Sequence, residues 1–558
     1  MEVGNMKKST IYTVFVATAL AFGCGKFDDM SKNNYAIYET TTESFVQPIL
    51  YQTEYQVLQL EYNVLGHLMQ YTISTNYEAS AQLAYNYSIP DQYNSYMWNA
   101  YTQFGNAQYM LAQAENDPNP AIKGVALILR SYIAALITDT YGDVPYSKAG
   151  LINLQGEKFD YMVPYDKQKD IYADLFRSLE DANQCFIEAA ELKEADATRD
   201  FNFDAVCDYT FDGNIDKWRR FGNSLYLRLL VRSAMKLQEE SDGNIEIGGD
   251  YGTINVIDKI AELYDSFKGT GDYPMMRNID DSARVKFDKM NSAMYTPFYT
   301  ITSGSWNAAA ACETIVGRMI RDGMTDPRYF RIFTKNLGAP TQIMRSDMKK
   351  FFDEKISAAG NSRVGRYTRG LVTGEHTGDM QNGPSYAMMN FDEVCFLFAE
   401  ASARRWISGQ HAKDLYERGC RSSIEQWHVD WKKALDYLAP GSKEIEDYVA
   451  YLRQGWDEDN ALEQVLEQKY IATLWVGVES WADYRRTGYP LLKTNGPAAE
   501  NRGVLPTRLR YPATESFQNA THYNNAVNDW LGGDNNMLTD VWWASTAESQ
   551  ANRLKGRQ

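Results

Sequence analysis

The feature that most limits what this chain can fold into is a set of apolar residues recurring at helical spacing. Ile122, Val125, Leu129, Tyr132, Ile133, Leu136 and Ile137 fall on one stripe, the pattern of an amphipathic helix packed by one face. Asn119-Pro120 ahead of it supplies an N-cap and a first-turn proline, and Gly142 after Tyr141 supplies a stop. Ile171, Leu175, Leu179, Ala182 and Phe186 make a second stripe. Trp218, Phe221, Leu225, Leu229 and Arg232 make a third within Lys217–Leu237. Phe391, Val394, Cys395, Phe398 and Ala401 make a fourth, with Asn390 and Glu393 placed as a capping pair. Long helices are expected at about Ser44–Ser74 and Tyr96–Ala114, and helices return at Ala412–Trp427 and Leu462–Val476. The expected fold is therefore mainly α, with little strand. There is no strict internal repeat at the period of roughly 34 residues that marks tetratricopeptide arrays, but the spacing allows stacked helix pairs.

Between about Ser241 and Ser385 the texture changes to Gly, Asp, Asn, Thr and Met with few clean periods. Long irregular loops on a rigid scaffold are where binding surfaces usually sit. Composition narrows the ligand. The net charge of −17 argues against sequence-independent nucleic-acid binding, which needs Lys and Arg to displace counterions, and against docking on an anionic leaflet. Tyr is the commonest aromatic, 39 against 23 Phe and 12 Trp. Its apolar face and polar tip suit wet binding surfaces, although any single Tyr serves equally in a core.

The first residues read as an export signal. Lys7 and Lys8 are the basic start, and Ile11–Phe22 is an apolar stretch too short to span a bilayer. Met6 is an alternative start directly before the basic pair. Ala21-Phe22-Gly23-Cys24 resembles a bacterial lipobox, with Phe22 in place of the usual small residue. Residues 1–23 are then a lipoprotein signal peptide and Cys24 the lipidated residue. Gly25-Lys26-Phe27-Asp28-Asp29 looks like the short signal that sends lipoproteins of Bacteroides-type bacteria to the outer face of the outer membrane. No later segment is a long uncharged apolar run, so an anchored body without a spanning helix is expected. The five other Cys contain no CxxC pair, which points to neither a disulfide framework nor a zinc module. Cys185 and Cys395 lie on helical stripes as core fillers.

Catalytic signatures are missing. There is no G-x-S-x-G, H-E-x-x-H or Walker loop. The His residues, at 67, 376, 411, 428 and 522, include no pair at helical ligand spacing. Asp208-Tyr-Thr-Phe-Asp212-Gly213-Asn214 lacks the ligand alternation of a calcium loop and reads as a turn before a helix. No catalytic residue, metal or cofactor is expected.

Several strings, taken in order, carry a family resemblance. They are Leu136-Ile-Thr-Asp-Thr-Tyr141-Gly142-Asp143-Val144-Pro145-Tyr146-Ser147; Lys217-Trp218-Arg-Arg-Phe-Gly-Asn223-Ser224-Leu-Tyr-Leu-Arg228; Asp326-Pro327-Arg328; and Glu393-Val-Cys-Phe-Leu-Phe-Ala399-Glu400-Ala401. Gly477-Val-Glu479-Ser-Trp481-Ala-Asp483-Tyr-Arg485-Arg486-Thr487-Gly488-Tyr489-Pro490, Arg508-Leu509-Arg510-Tyr511-Pro512 and Val541-Trp542-Trp543 follow. Together they resemble the SusD/RagB-type outer-membrane lipoproteins, in the SusD-like subgroup, from about Ala36 to Ala544. The resemblance implies tetratricopeptide-like helix pairs under a loop-rich ligand face. It implies a lid over a SusC-like TonB-dependent transporter on the cell exterior, capturing glycans, or oligopeptides in some systems, without enzymatic activity. It divides the chain into an anchor and linker (24–43), an N-terminal helical array (44–240), a loop-rich ligand region (241–385), returning helices (386–490) and a C-terminal segment (491–558), all one domain.

The strings themselves read as scaffold. Asp139 and Asp143 are expected to hold backbone N–H groups, and Arg485 and Arg486 to pair with Glu479 and Asp483. Ligand residues are sought elsewhere, since sugars ask for a Trp or Tyr platform beside Asn, Asp and Arg. Three segments offer this: Tyr85–Ser88 with Tyr93, Tyr96 and Trp98; Tyr295, Tyr299 and Trp306; and Arg363, Arg366, Tyr367 and Tyr386. Trp98, Tyr299 and Trp306 are the expected platforms, Arg366 the polar clamp, and Tyr386 a further contact. A glycoside hydrolase and a protein-only helical adapter are the competing readings.

Overall fold

Asn119 accepts the N–H of Ala121 at 3.0 Å and so starts the longest apolar helix of the chain, Pro120–Tyr141. Gly142, at φ +88°, ends it and closes the last turn on Thr138. This computed structural model describes residues 41–75, 84–155, 160–286, 309–355, 385–409, 411–429, 438–496 and 501–556. Cys24 and the signal segment, Tyr299, Trp306 and Arg366 lie outside the described residues.

The N-terminal array comprises α1 (Val46–Leu60), α2 (Tyr101–Ala114), α3 (Pro120–Tyr141), α4 (Gln168–Ala195) and α5 (Ile215–Ser241), and α6 (Val256–Phe267), from the central stretch, packs on α5. α3 and α4 run antiparallel. Gly124 lies against Ala182 and Phe186, Arg130 bonds Asp174 and Ser178, and the Gln168 side chain reaches the Thr138 carbonyl. A Cβ on Gly124 would sit 2.9 Å from the Phe186 ring, so this Gly lets the two helices close up. α3 is the one described helix long and apolar enough to cross a membrane, and 89% of its most apolar window is buried inside the protein. It is a core helix.

The central stretch carries α7 (Glu313–Met319) and α8 (Arg345–Lys355). The returning block is α9 (Phe391–Ala403), α10 (Ala412–Val429), α11 (Lys443–Gln454), α12 (Ala461–Ala472) and α13 (Glu479–Thr487). α9 packs on α10 and α12, and α10 on α11. α14 (Ala520–Leu531) and α15 (Ala547–Lys555) close the chain, α15 lying on α13. The described strands are short and form five two-stranded antiparallel ladders. They are β1 (Thr72–Ser74) with β7 (Ala309–Ala311), β2 (Val144–Pro145) with β3 (Tyr165–Asp166), β4 (Asn244–Gly248) with β5 (Gly252–Asn255), β6 (Ala283–Val285) with β10 (Tyr386–Met389), and β8 (Ile320–Arg321) with β9 (Met324–Thr325).

Several local expectations are corrected. The first helix does not run to Ser74: it passes through a π-turn at Glu61–Leu65, ends at Leu68 and turns into β1. The stretch before α2 is a set of tight 3₁₀ turns, Asp91–Ser95 and Trp98–Ala100. Asn390 and Glu393 do not cap each other. Arg284 donates to the Asn390 side chain at 2.8 Å, and Glu393 takes two bonds from Arg228, at 2.8 and 2.6 Å. A distant guanidinium outbids a local N–H because the bond is charge-assisted and bidentate. The irregular central stretch also holds an amphipathic helix, α6, and a hairpin, β4–β5.

Four of the family strings meet in one buried charge network. Arg232 is held between Asp139 and Glu479, and Arg228 between Glu393 at 2.6 Å and Glu479 at 3.4 Å. Lys469 reaches Asp483 at 2.9 Å, Arg486 joins Asp483 at 2.7 Å to Glu400 at 2.5 Å, and Arg404 carries the chain on to Glu548 at 2.7 Å. Arg328 and Asp326, both fully buried, pair at 2.6 Å. Burial opposes ionisation of Glu400, but Arg486 and Arg404 overcome it and hold the carboxyl down at about 2. Two expected roles change. Asp139 takes Tyr172, Trp543 and Arg232 rather than backbone N–H groups. Arg485 makes no ion pair among the described residues: it lies 3.6 Å from the Trp481 ring centre and 4.6 Å from that of Trp543, and donates to the carbonyls of Asp139 and Thr507. Asp143 does hold a backbone N–H, that of Gln168 at 2.9 Å.

Candidate functional site

Two expected ligand residues fall among the described residues, Trp98 partly buried and Tyr386 fully buried. Trp98 is half-buried in a cage of tyrosines. It meets Tyr101 and Tyr141 edge to face at 5.1 Å each and Tyr511 at 6.0 Å, and lies tilted against Tyr165 at 6.3 Å. Its ring packs on this cluster and stays partly exposed, as Tyr93 and Tyr96 do. Tyr386 is 1% exposed, and its hydroxyl donates to Glu61 at 2.5 Å. Trp475 and Gly477 donate their N–H groups to the same carboxylate, at 2.6 and 3.2 Å. Tyr386 ties β10 to the π-turn of the first helix, and a ligand arriving from solvent does not reach it.

The surface beside them is better suited. Tyr93 and Tyr96, half-exposed on the turns before α2, stack at 5.5 Å with 24° between their planes. Facing them is a polar row on the first helix. Asn63 donates to the Tyr96 hydroxyl at 3.5 Å and to Gln59 at 3.1 Å, and Gln59 donates to the Tyr55 hydroxyl at 3.1 Å. Asn99 adds a bond to Gln56 at 3.5 Å. Tyr55, Gln59 and Asn63 share a face because residues four apart lie one above the other on a helix. The Tyr93–Tyr96 segment was legible from the sequence as an aromatic loop. The helical row was not, although its spacing of four polar or amphipathic residues was the available signal.

None of these side chains is charged. Burial, with Tyr93 and Tyr55 nearby, pushes the Tyr96 hydroxyl up to about 12, and burial alone does the same for Tyr62. Both therefore stay protonated donors at neutral pH. Two aromatic faces flanked by neutral amides and hydroxyls bind flat C–H surfaces and alternate donors with acceptors.

The same helix also organises the ends of the expected ligand segments. β1 continues from it and pairs with β7, with Ser74 opposite Ala309, the residues that adjoin 76–83 and 287–308. β6 and β10 adjoin 287–308 and 356–384, and β10 is bonded to Glu61 through Tyr386. Segment 287–308, which holds Tyr299 and Trp306, therefore has both flanking strands in these ladders, and segment 356–384, which holds Arg366, is followed by β10. Among the described residues no group of three His, Cys, Asp or Glu is placed to hold a metal ion.

The molecule is a mainly helical body that carries short ladders, an aromatic–amide surface and signature strings bound by buried ion pairs. Residues 32–512 match the SusD-like family model described as starch-binding and associating with the outer membrane. The chain belongs to that family. Solved structures share its fold. A SusD homologue of Parabacteroides distasonis is 22% identical, covers 91% of this chain and 98% of its own, and superposes with a TM-score of 0.70. One from Bacteroides uniformis is 23% identical, with coverage of 91% and 100% and a TM-score of 0.68. A chitin-binding SusD homologue of Flavobacterium johnsoniae is 21% identical, with coverage of 91% and 99% and a TM-score of 0.67. No curated protein sequence matches the chain.

Proposed function

We propose that this protein captures neutral glycan chains at the cell surface and delivers them to a SusC-like TonB-dependent transporter. It would sit on the outer membrane through a lipid on Cys24, facing the exterior, and bind without cleaving. The observation that carries the choice of ligand is the uncharged surface of Tyr93, Tyr96, Asn63, Gln59 and Tyr55. A neutral polyhydroxylated chain loses little solvation there, and its hydroxyls can both donate and accept. Family membership supports the outer-membrane setting, and the chitin-binding relative supports a carbohydrate ligand. Segments 287–308 and 356–384, with Tyr299, Trp306 and Arg366, would complete the face.

Oligopeptide capture is the second reading, favoured by the net charge of −17, which attracts basic peptides. The two part on ionic strength: peptide binding of that kind weakens with salt, whereas stacking and amide bonding to a neutral glycan do not. Gentle detergent extraction tests the partnership. Co-purification with a transporter-type barrel is the expected result; extraction of the protein always alone would contradict it.

A further inference from the structure

A pocket of about 270 Å³ lies in the returning helical block, built from no residue of the Tyr93–Tyr96 surface. It is lined by Arg321 and Asp322 from the β8–β9 turn, Tyr416 from α10, Tyr451 and Leu452 from α11, and Gln464 and Glu467 from α12. Asp322 stands at φ +54° and is held there by the Tyr451 hydroxyl, 2.7 Å from its carboxylate. Gln464 is fixed at both ends, donating to the Gly455 carbonyl at 2.8 Å and accepting the Asp457 N–H at 2.9 Å. The walls are therefore set before any ligand arrives.

The polar groups at the centre are not used up. Arg321 and Glu467 stand 3.5 Å apart, an ion pair too long for a good hydrogen bond. The buried Nε of Arg321 has no hydrogen-bond acceptor. The Arg321 Nη1 that faces Glu467 across that gap belongs to a side chain 38% exposed, and it is the donor a ligand can meet. Tyr416 and Tyr451 provide aromatic wall. The volume falls just below that of sites for drug-sized ligands, which start near 300 Å³, and suits one ring rather than a chain. Asp322 and Glu467 stand against Arg321 and, behind Glu467 at 3.8 Å, Arg318, so the charges balance and neither an anion nor a cation is favoured. A neutral hydroxyl can accept from Arg321 and donate to Glu467 at once, without separating the pair.

We propose that this pocket is a second binding site, for a single neutral hexose-type ring, free or at the end of a chain. Saturation-transfer NMR and calorimetry on the full mature chain test it with glucose, galactose and N-acetylglucosamine. An amino-acid mixture and inorganic phosphate serve as the alternatives. At least one sugar is expected to bind saturably, and Tyr451→Ala and Glu467→Gln each to weaken it about tenfold, the scale of one lost stacking or charge-assisted contact. Thermal melts of both variants check that each is folded, and Glu467→Gln keeps the side-chain shape should Tyr451→Ala not fold. Tyr96→Ala is expected to leave this monosaccharide binding intact while polymer capture falls, so the two sites fail separately. The proposal is overturned if no sugar binds the wild-type chain, if the amino acids or phosphate bind instead, or if Glu467→Gln binds the sugar as tightly as wild type.

Discussion

Arg486 shows how much the scaffold relies on single side chains. It is 3% exposed and bonded to Glu400 and Asp483. Arg486→Met leaves buried carboxylates short of their partner, which costs about 3–5 kcal/mol. Chemical denaturation is expected to show a loss on that scale, with part regained when Glu400→Gln is added; an unchanged midpoint would mean that Arg404 alone suffices. Glu54 behaves oppositely. Burial pushes its carboxyl from 4.5 up to about 8, against the Tyr132 hydroxyl and Arg228, which pull it down. The folded chain then keeps a proton that the unfolded chain releases between those values, so this group's contribution falls as pH rises through that window. Glu400, held near 2, contributes stability above its ordinary value that is lost as pH falls towards 2. Glu54→Gln is therefore expected to flatten the decline of stability from about pH 4.5 to 8 and to leave the acid limb alone. Equal slopes in both proteins would refute this.

At the scale of elements, Gly142 joins the end of α3 to α14. At φ +88°, a Cβ there would lie 2.4 Å from the Trp530 ring. Gly142→Ala is expected to destabilise the fold by about 1–3 kcal/mol, seen as a lower melting temperature, and to loosen Trp530, seen as a shift in its fluorescence. The helices were legible where apolar spacing and a cap coincide, as in Asn119-Pro120 through Gly142. They were not legible where tertiary partners decide. The π-turn at Glu61 exists where Tyr386, Trp475 and Gly477 converge on one carboxylate, and none of these is near it in sequence. The Asn390–Glu393 pair failed for the same reason, because Arg284 and Arg228 arrive from other elements.

For the whole molecule, the ordered strings announced the family because they are the parts that bind the two helical blocks together. The proposed ligand face left a weaker trace. Tyr93 and Tyr96 stood out as aromatics in a Pro-containing turn, and Trp98, at the start of the next turn, packs on Tyr101, Tyr141 and Tyr511. Composition cannot separate an aromatic that packs from one that presents its face. Tyr93→Ala and Tyr96→Ala are each expected to weaken glycan binding by about 1–3 kcal/mol, the worth of one stacked ring, without changing the melting temperature by as much as the core substitutions do.

The most direct measurement is calorimetry of the mature chain against neutral polysaccharides and peptide pools at low and high salt, with product analysis on the same samples. Binding to one neutral glycan class, insensitive to salt, weakened by Tyr96→Ala and without shortened products, is the expected result. Binding to peptides alone with steep salt dependence, or release of shortened sugars, would contradict it.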